Sequence, residues 1–223
     1  MLFNIIRNGF SIQALVGVVS SLFVVFCTLP IHEFAHAWTA DKLGDDTARI
    51  NGRLTLNPMA HLDLWGCLMI ILVGFGYAKP VPVNPRRFKN PKAGMALTAF
   101  AGPLSNLIMA ALFILFRDIC IVFLGSSFGK ILEYFFFYAA YINVSLAVFN
   151  LIPIPPLDGS RIATLMIPRK YYFEIMKYER YIMIGLFVLL ITGILTRPLA
   201  FLSDAVLSGM THVIGLPFAK MLS

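Results

Sequence analysis

Charged residues are scarce in this 223-residue sequence: they make up 13% of the chain, where a soluble domain has about 25%. Hydrophobic residues make up 59% and include 20 phenylalanines. A domain of this size leaves a large share of its surface in water, so it cannot bury all of these side chains. The composition therefore excludes a soluble enzyme and a disordered chain, and it predicts an integral membrane protein.

Cysteine is also scarce, with three residues in the whole chain. Cys27, Cys67 and Cys120 are far apart, and each lies in an apolar stretch. This number and spacing exclude a disulfide scaffold and a C-x-x-C metal knuckle. We expect all three to be small apolar packing residues.

The formal net charge of +7 could suggest a nucleic-acid partner, but the distribution of the charges argues against one. Basic residues collect in two short connections, 79–92 and 161–180, which lie beside long apolar runs. This is the pattern of cytoplasmic loops in membrane proteins. We therefore expect the chain to lie in a lipid bilayer, and we expect no nucleic-acid partner.

Long apolar runs predict an all-α polytopic membrane protein with about four to six transmembrane helices, since about 20 apolar residues cross a bilayer. The first run continues as a helix to about Leu43, where Gly44 ends it. The predicted spans are 11–43, 93–116, 131–152 and 181–196, and the tail 199–223 is either a weak last span or an interfacial helix. We expect one transmembrane domain over 1–223, with a core at 11–165 and accessory C-terminal helices at 170–223.

Two segments predict structure at the membrane surface. Residues 47–57 alternate polar and apolar side chains around Asn51-Gly52, which predicts a small β-hairpin. Residues 62–78 contain several glycines before Pro80 and form a marginal span or a re-entrant segment.

The sequence His32-Glu33-Phe34-Ala35-His36 fits the pattern H-E-x-x-H on a helix. Four residues make about one helical turn, so both imidazoles lie on one face and can share a zinc ion. Glu33 lies nearby without having to be a ligand and can accept a proton from zinc-bound water. The alternative is a solvated helix end at the membrane interface, but ionisable groups at membrane depth by default mark function.

A catalytic zinc ion usually has a third protein ligand, and several residues are candidates. The other histidines are His61 and His212, and His61 could be an alternative ligand or a hydrogen-bonded structural residue. Asp158 follows the proline-broken run 150–157, where freed backbone groups must line protein or a wet cavity. An aspartate there is a candidate ligand, but it could equally cap the next helix.

Several motifs in this order resemble those of the site-2 protease family of intramembrane zinc metalloproteases, in its compact bacterial and archaeal branch. They are His32-Glu33-x-x-His36, Asn57-Pro58-x-x-His61-Leu62-Asp63, the segments 78–84 (AKPVPVN) and 101–106 (AGPLSN), and 150–159 (NLIPIPPLDG). Ser160 and Leu64 depart from the family pattern, but neither is a proposed ligand. No PDZ-like or CBS-like module fits in the remaining residues.

The resemblance implies one zinc ion per chain, held by His32, His36 and Asp158, with Glu33 as the general base. Asn150 would line the active site and steady the substrate or its oxyanion. The implied activity is hydrolysis of a peptide bond in or near the transmembrane segment of a membrane-protein substrate, as in regulated intramembrane proteolysis. An oligomer is possible.

The competing hypothesis is a membrane metal transporter or zinc sensor without hydrolysis. Such a protein would place polar groups along a path through several helices, often in repeated halves, and no repeat is visible here.

The ligand positions also constrain the topology. If 62–78 crossed the bilayer, the first helix would end on the opposite face from Asp158, about 30 Å away. We therefore expect 62–78 to dip in and return, both basic loops to be cytoplasmic, and the active site to lie toward the cytoplasmic side of a prokaryotic cell membrane.

Overall fold

A computed structural model describes residues 11–66, 68, 78–166, 174 and 177–222. These residues are mostly helical. The helices are α1 Ile12–Lys42, α2 Thr47–Ile50, α3 Pro58–His61, α4 Pro91–Phe123, α5 Ser127–Asn150, α6 Asp158–Ala163, α7 Glu179–Ile191 and α8 Thr196–Leu222, with a 3-10 turn at Pro85–Arg87.

Within the described part of the chain, four helices are long and apolar enough to cross a membrane: α1, α4, α5 and Thr196–Phe218 in α8. This confirms the prediction of a helical membrane protein, and the described residues supply four of the predicted four to six spans. The expected span at 181–196 is shorter than we predicted, because α7 has 13 residues and is about 20 Å long. The tail beyond it forms a helix of spanning length instead.

Helix α1 contains a π-helical turn, Val24–Thr28, which ends two residues before Pro30. Pro30 has no backbone N–H and cannot make the regular bond to the carbonyl four residues earlier. The wider π turn lies where that bond is missing, and the α-helix then continues through the H-E-x-x-H residues. Such turns are frequent at functional sites.

The β-hairpin predicted at 47–57 is not formed, and the described residues contain no β-strand. Residues Thr47–Ile50 form the short helix α2, and Gly52 has a φ of +65°. The Arg53 N–H donates to the Ala48 carbonyl at 2.8 Å, and the Gly52 N–H donates to the Arg49 carbonyl at 3.0 Å. This is the Schellman arrangement that ends helices, so Asn51-Gly52 is a helix end and not a hairpin turn.

Helix α4 packs along both α1 and α5, and α8 packs against α4 and α5. The contacts between α1 and α4 run antiparallel. At one end, His36 Nδ1 lies 2.7 Å from the Thr98 carbonyl oxygen, and toward the other end the rings of Phe23 and Phe113 are 6.0 Å apart. The packed bundle places the C-terminal end of α1 beside the N-terminal end of α4.

The ends of the segment 62–78 lie close together, although the course of 69–77 falls outside the described residues. The Lys79 N–H donates to the His61 carbonyl at 2.8 Å. The Asn84 N–H donates to the buried Asp45 carboxylate at 2.6 Å, and Arg87 is paired with Asp46. The segment therefore begins and ends on the same side of the bundle, as the expected return requires.

Candidate metal centre

Three side chains from distant parts of the chain converge in the structure: His32 and His36 of α1, and Asp158 at the start of α6. The two Nε2 atoms are 3.0 Å apart, and Asp158 Oδ2 lies 3.4 Å from His32 Nε2 and 3.2 Å from His36 Nε2. A tetrahedral zinc site with bonds of about 2.0–2.1 Å separates its ligand atoms by about 3.3 Å. The three atoms therefore fit one zinc ion.

The three side chains are shielded from solvent, and Asp158 is held in its ionised form. Both histidines are buried, and Asp158 is largely shielded from solvent. Burial alone would raise the pKa of the Asp158 carboxyl, but the adjacent imidazoles of His36 and His32 outweigh it and hold that pKa below its usual range. Asp158 is thus kept as a carboxylate, the form that binds metal.

Gly102 of α4 supplies the space in which the imidazoles sit. A Cβ atom at this position would lie 2.3 Å from His36 Nε2 and 2.6 Å from His32 Cε1, which is far inside van der Waals contact. Because glycine has no side chain, α4 can approach the two rings closely. The Thr98 carbonyl, one turn earlier on α4, accepts the other ring N–H of His36, which is how metal-bound histidines are usually oriented.

Glu33 and Asn150 line the same cavity as the three converging side chains. The cavity has a volume of about 330 Å³. Glu33 is buried, and it is not among the three residues that converge on one point. Asn150 Nδ2 donates to the Leu146 carbonyl at 3.0 Å, which leaves its second amide hydrogen for another acceptor.

The other candidate histidines lie elsewhere. His61 is fully buried, and its Nε2 is hydrogen-bonded to the Thr55 carbonyl at 2.7 Å. His212 is exposed on α8. Among the described residues, neither joins the group of His32, His36 and Asp158.

Two features of the site were not predicted from the sequence. One is the Thr98 carbonyl that accepts a hydrogen bond from His36. Every residue has a backbone carbonyl, so the residue type does not show which carbonyl is used. The other is the contact between Gly102 and the imidazoles: the AGPLSN motif marked the segment, but nothing in the sequence placed its glycine against the two rings.

Comparisons with known proteins find a peptidase family model and relatives whose names describe zinc metalloproteases. The model of "Peptidase family M50" matches residues 118–192, which include Asn150 and Asp158. Among curated proteins, "Putative zinc metalloprotease YwhC" of Bacillus subtilis is 43% identical over 166 residues, covering 73% of this chain and 75% of that protein. "Putative zinc metalloprotease Rip2" of Mycobacterium tuberculosis is 32% identical over 143 residues, or 59% of this chain and 51% of that protein. No solved structure matches the chain.

Proposed function

Because the chain belongs to peptidase family M50, the site-2 protease family, we propose that it is a zinc-dependent intramembrane endopeptidase. It hydrolyses a peptide bond in or near the transmembrane segment of a membrane-protein substrate, as in regulated intramembrane proteolysis. The observation that carries this proposal is the convergence of His32, His36 and Asp158 beside Glu33 in a cavity of a helical membrane protein. The whole chain acts as one protease domain, whose core at 11–165 contains every proposed site residue.

One zinc ion per chain is held by Nε2 of His32, Nε2 of His36 and the Asp158 carboxylate. Their spacing fits tetrahedral ligation, and Gly102 leaves the space that the rings need. When bound, zinc supplies Lewis acidity, which polarises the scissile carbonyl and lowers the pKa of water to about 7.

Glu33 is the general base of the reaction. Its carboxylate lines the cavity next to the ligands without being one of them, so it is free to take the proton of the attacking water. It then returns that proton to the leaving amine. Asn150, the last residue of α5, lines the same cavity and has an amide hydrogen available for the substrate carbonyl as negative charge develops there.

A substrate helix must unwind locally before its backbone can reach Glu33, because a helical peptide bond has its N–H and C=O engaged within the helix. The cavity accommodates such a segment next to apolar side chains, which include Val81, Leu186 and Leu190. Shielding by these residues keeps the unwound backbone away from lipid, where unsatisfied polar groups are costly.

The active site lies toward the cytoplasmic side. The end of the bundle nearest to it carries Arg49, Arg53, Arg86 and Arg87, and an excess of basic residues marks cytoplasmic loops. In a background without the native cysteines, Asn51→Cys and Lys89→Cys should both react with an impermeant thiol reagent from the cytoplasmic side. Gly125→Cys, in the connection between α4 and α5, should react from the other side. Labelling of the first two positions from opposite sides contradicts this topology.

The function is tested with purified protein and a single-span membrane substrate in detergent or lipid vesicles. We expect cleavage that a zinc chelator stops and that added zinc restores, with about one zinc ion per active chain. A metal transporter or sensor would bind zinc under the same conditions without cutting any substrate. Cleavage that persists after complete removal of zinc overturns the proposal.

A further inference from the structure

Three polar side chains are buried in the bundle next to the proposed metal centre: Thr28 of α1, Asn106 of α4 and Asn143 of α5. Each is at most 1% exposed. Within the described residues, both amide atoms of Asn106 and the Oδ1 atom of Asn143 have no hydrogen-bond partner. Unpartnered amides are costly inside membrane-spanning helices, so their presence calls for an explanation.

The packing of α1 against α4 fixes the place of Asn106. His36 contacts Thr98, and the rings of His32 and His36 face Gly102. Because the helices run antiparallel, each step of one turn back along α1 corresponds to one turn forward along α4. One turn before His32 on α1 is Thr28, and one turn after Gly102 on α4 is Asn106. These two residues therefore face each other in a layer about 5.4 Å from the layer of His32 and Gly102.

The packing beyond this layer agrees with the placement. Val24, at the other end of the π turn from Thr28, belongs to the same buried apolar cluster as Ala110, which lies one turn after Asn106. Ala139 and Ala140 of α5 belong to that cluster too. The polar layer of Thr28 and Asn106 thus lies between this apolar cluster on one side and the layer of His32 and Gly102 on the other.

The directions of the side chains bring Asn106 and His32 toward each other. Side chains on an α-helix lean toward the N-terminal turn, so Asn106 leans toward Gly102 and His32 leans toward Thr28. Gly102 has no side chain to separate them. The Nδ1 atom of His32 is itself buried and has no hydrogen-bond partner among the described residues.

We propose that Asn106 is a positioning residue for the metal centre, linked through one internal water molecule to the Nδ1–H of His32. The Asn106 amide and the Thr28 hydroxyl oxygen are the other partners of that water. This inference rests on the proposed function, because it assigns Nε2 of His32 to zinc. Two polar groups that face each other beyond direct hydrogen-bond distance are commonly joined in this way, and three partners are enough to hold a buried water.

The link would fix both the tautomer and the ring orientation of His32. When Nδ1–H is donated to an acceptor, Nε2 keeps its lone pair for the metal. His36 has the Thr98 carbonyl for this purpose, and Asn106 with its water gives His32 the equivalent support. Loss of such support typically lowers metal affinity about 10- to 100-fold.

The experiment measures zinc affinity by competition with a chelator, and measures thermal unfolding of the zinc-free proteins in parallel. Asn106→Leu keeps the branched shape and the number of side-chain heavy atoms, removes the amide and should weaken zinc binding about 10- to 100-fold. Asn106→Asp keeps an acceptor and should bind zinc within a few-fold of the parent. The matched control is Ser203→Ala, which removes an equally buried and unpartnered polar group from α8 and should change zinc affinity less than twofold.

Thr28→Val provides a second test in case the Asn106→Leu protein does not fold. This isosteric change removes a partner of the same water and should also weaken zinc binding, while Thr28→Ser should restore it. The inference is overturned if folded Asn106→Leu, or Thr28→Val, binds zinc as tightly as the parent, or if Ser203→Ala loses as much affinity. A parent protein that binds no zinc overturns the proposed function together with this inference, whereas equal binding by parent and variants overturns the inference alone.

Discussion

Replacing Glu33 with glutamine is expected to abolish peptide cleavage and to leave zinc bound. Glutamine has the same shape as glutamate but cannot accept the proton of the attacking water. General-base catalysis contributes about 10²–10⁴-fold to a rate, so cleavage of a single-span substrate should fall by at least that factor. The zinc content should stay at that of the parent, because Glu33 is outside the group of His32, His36 and Asp158.

The matched control is Glu133→Gln, which makes the same chemical change near the start of α5. Glu133 is 17 residues from Asn150, or about 25 Å along the helix, and it takes no part in the proposed reaction. Its activity should match that of the parent. Substantial cleavage by the Glu33→Gln protein would exclude Glu33 as the base, and loss of zinc from it would show that Glu33 holds the metal instead.

The proposed metal centre was partly predictable from the sequence, because two of its three ligands are close together in the chain. His32 and His36 are one turn apart on a helix, and helical periodicity alone places them on the same face. Their approach to each other in the structure follows from that spacing. Their role as ligands remains a prediction that the zinc measurements test.

Asp158 was harder to predict, because it lies more than a hundred positions after His36. Nothing in the residues themselves distinguished a ligand from a helix cap, and only the resemblance to a family favoured the former. In the structure Leu157 is the N-cap residue of α6, whereas Asp158 is the first residue of the helix, and its carboxylate faces the two imidazoles. Long-range packing decides whether such an aspartate is a ligand or a helix cap, and the residues next to it in the sequence do not indicate that packing.

The hairpin predicted at 47–57, which the structure does not bear out, has a similar origin. A glycine with positive φ after asparagine suits a type I′ turn and also a helix C-terminus, so Asn51-Gly52 fits both. Tertiary contacts decide between them: Ala48 of α2 is fully buried against Ala37 and Val81. A strand in this place would lose that packing, and no local signal indicates that Ala48 has partners so far away in the chain.

Replacing Asp158 with alanine is expected to remove zinc and activity together. The two imidazoles would then be the remaining protein ligands, where catalytic zinc sites usually have three. The loss of zinc affinity should exceed the about 10- to 100-fold effect of removing a supporting hydrogen bond. Chelator competition measures this affinity, and cleavage of the single-span substrate at rising zinc concentrations shows whether added metal restores activity.

The control for this change is Asp204→Ala, which removes an exposed carboxylate from α8 and should leave zinc affinity at the parent value. Thermal unfolding of the zinc-free proteins separates a lost ligand from a lost fold, because a ligand mutant keeps its helices and loses only the stabilisation by zinc. Asp158→Ala and Glu33→Gln should therefore fail in different ways, the first without zinc and the second with it. If the Asp158→Ala protein retains zinc at the parent affinity, the metal is held elsewhere, and the convergence of the three side chains has another cause.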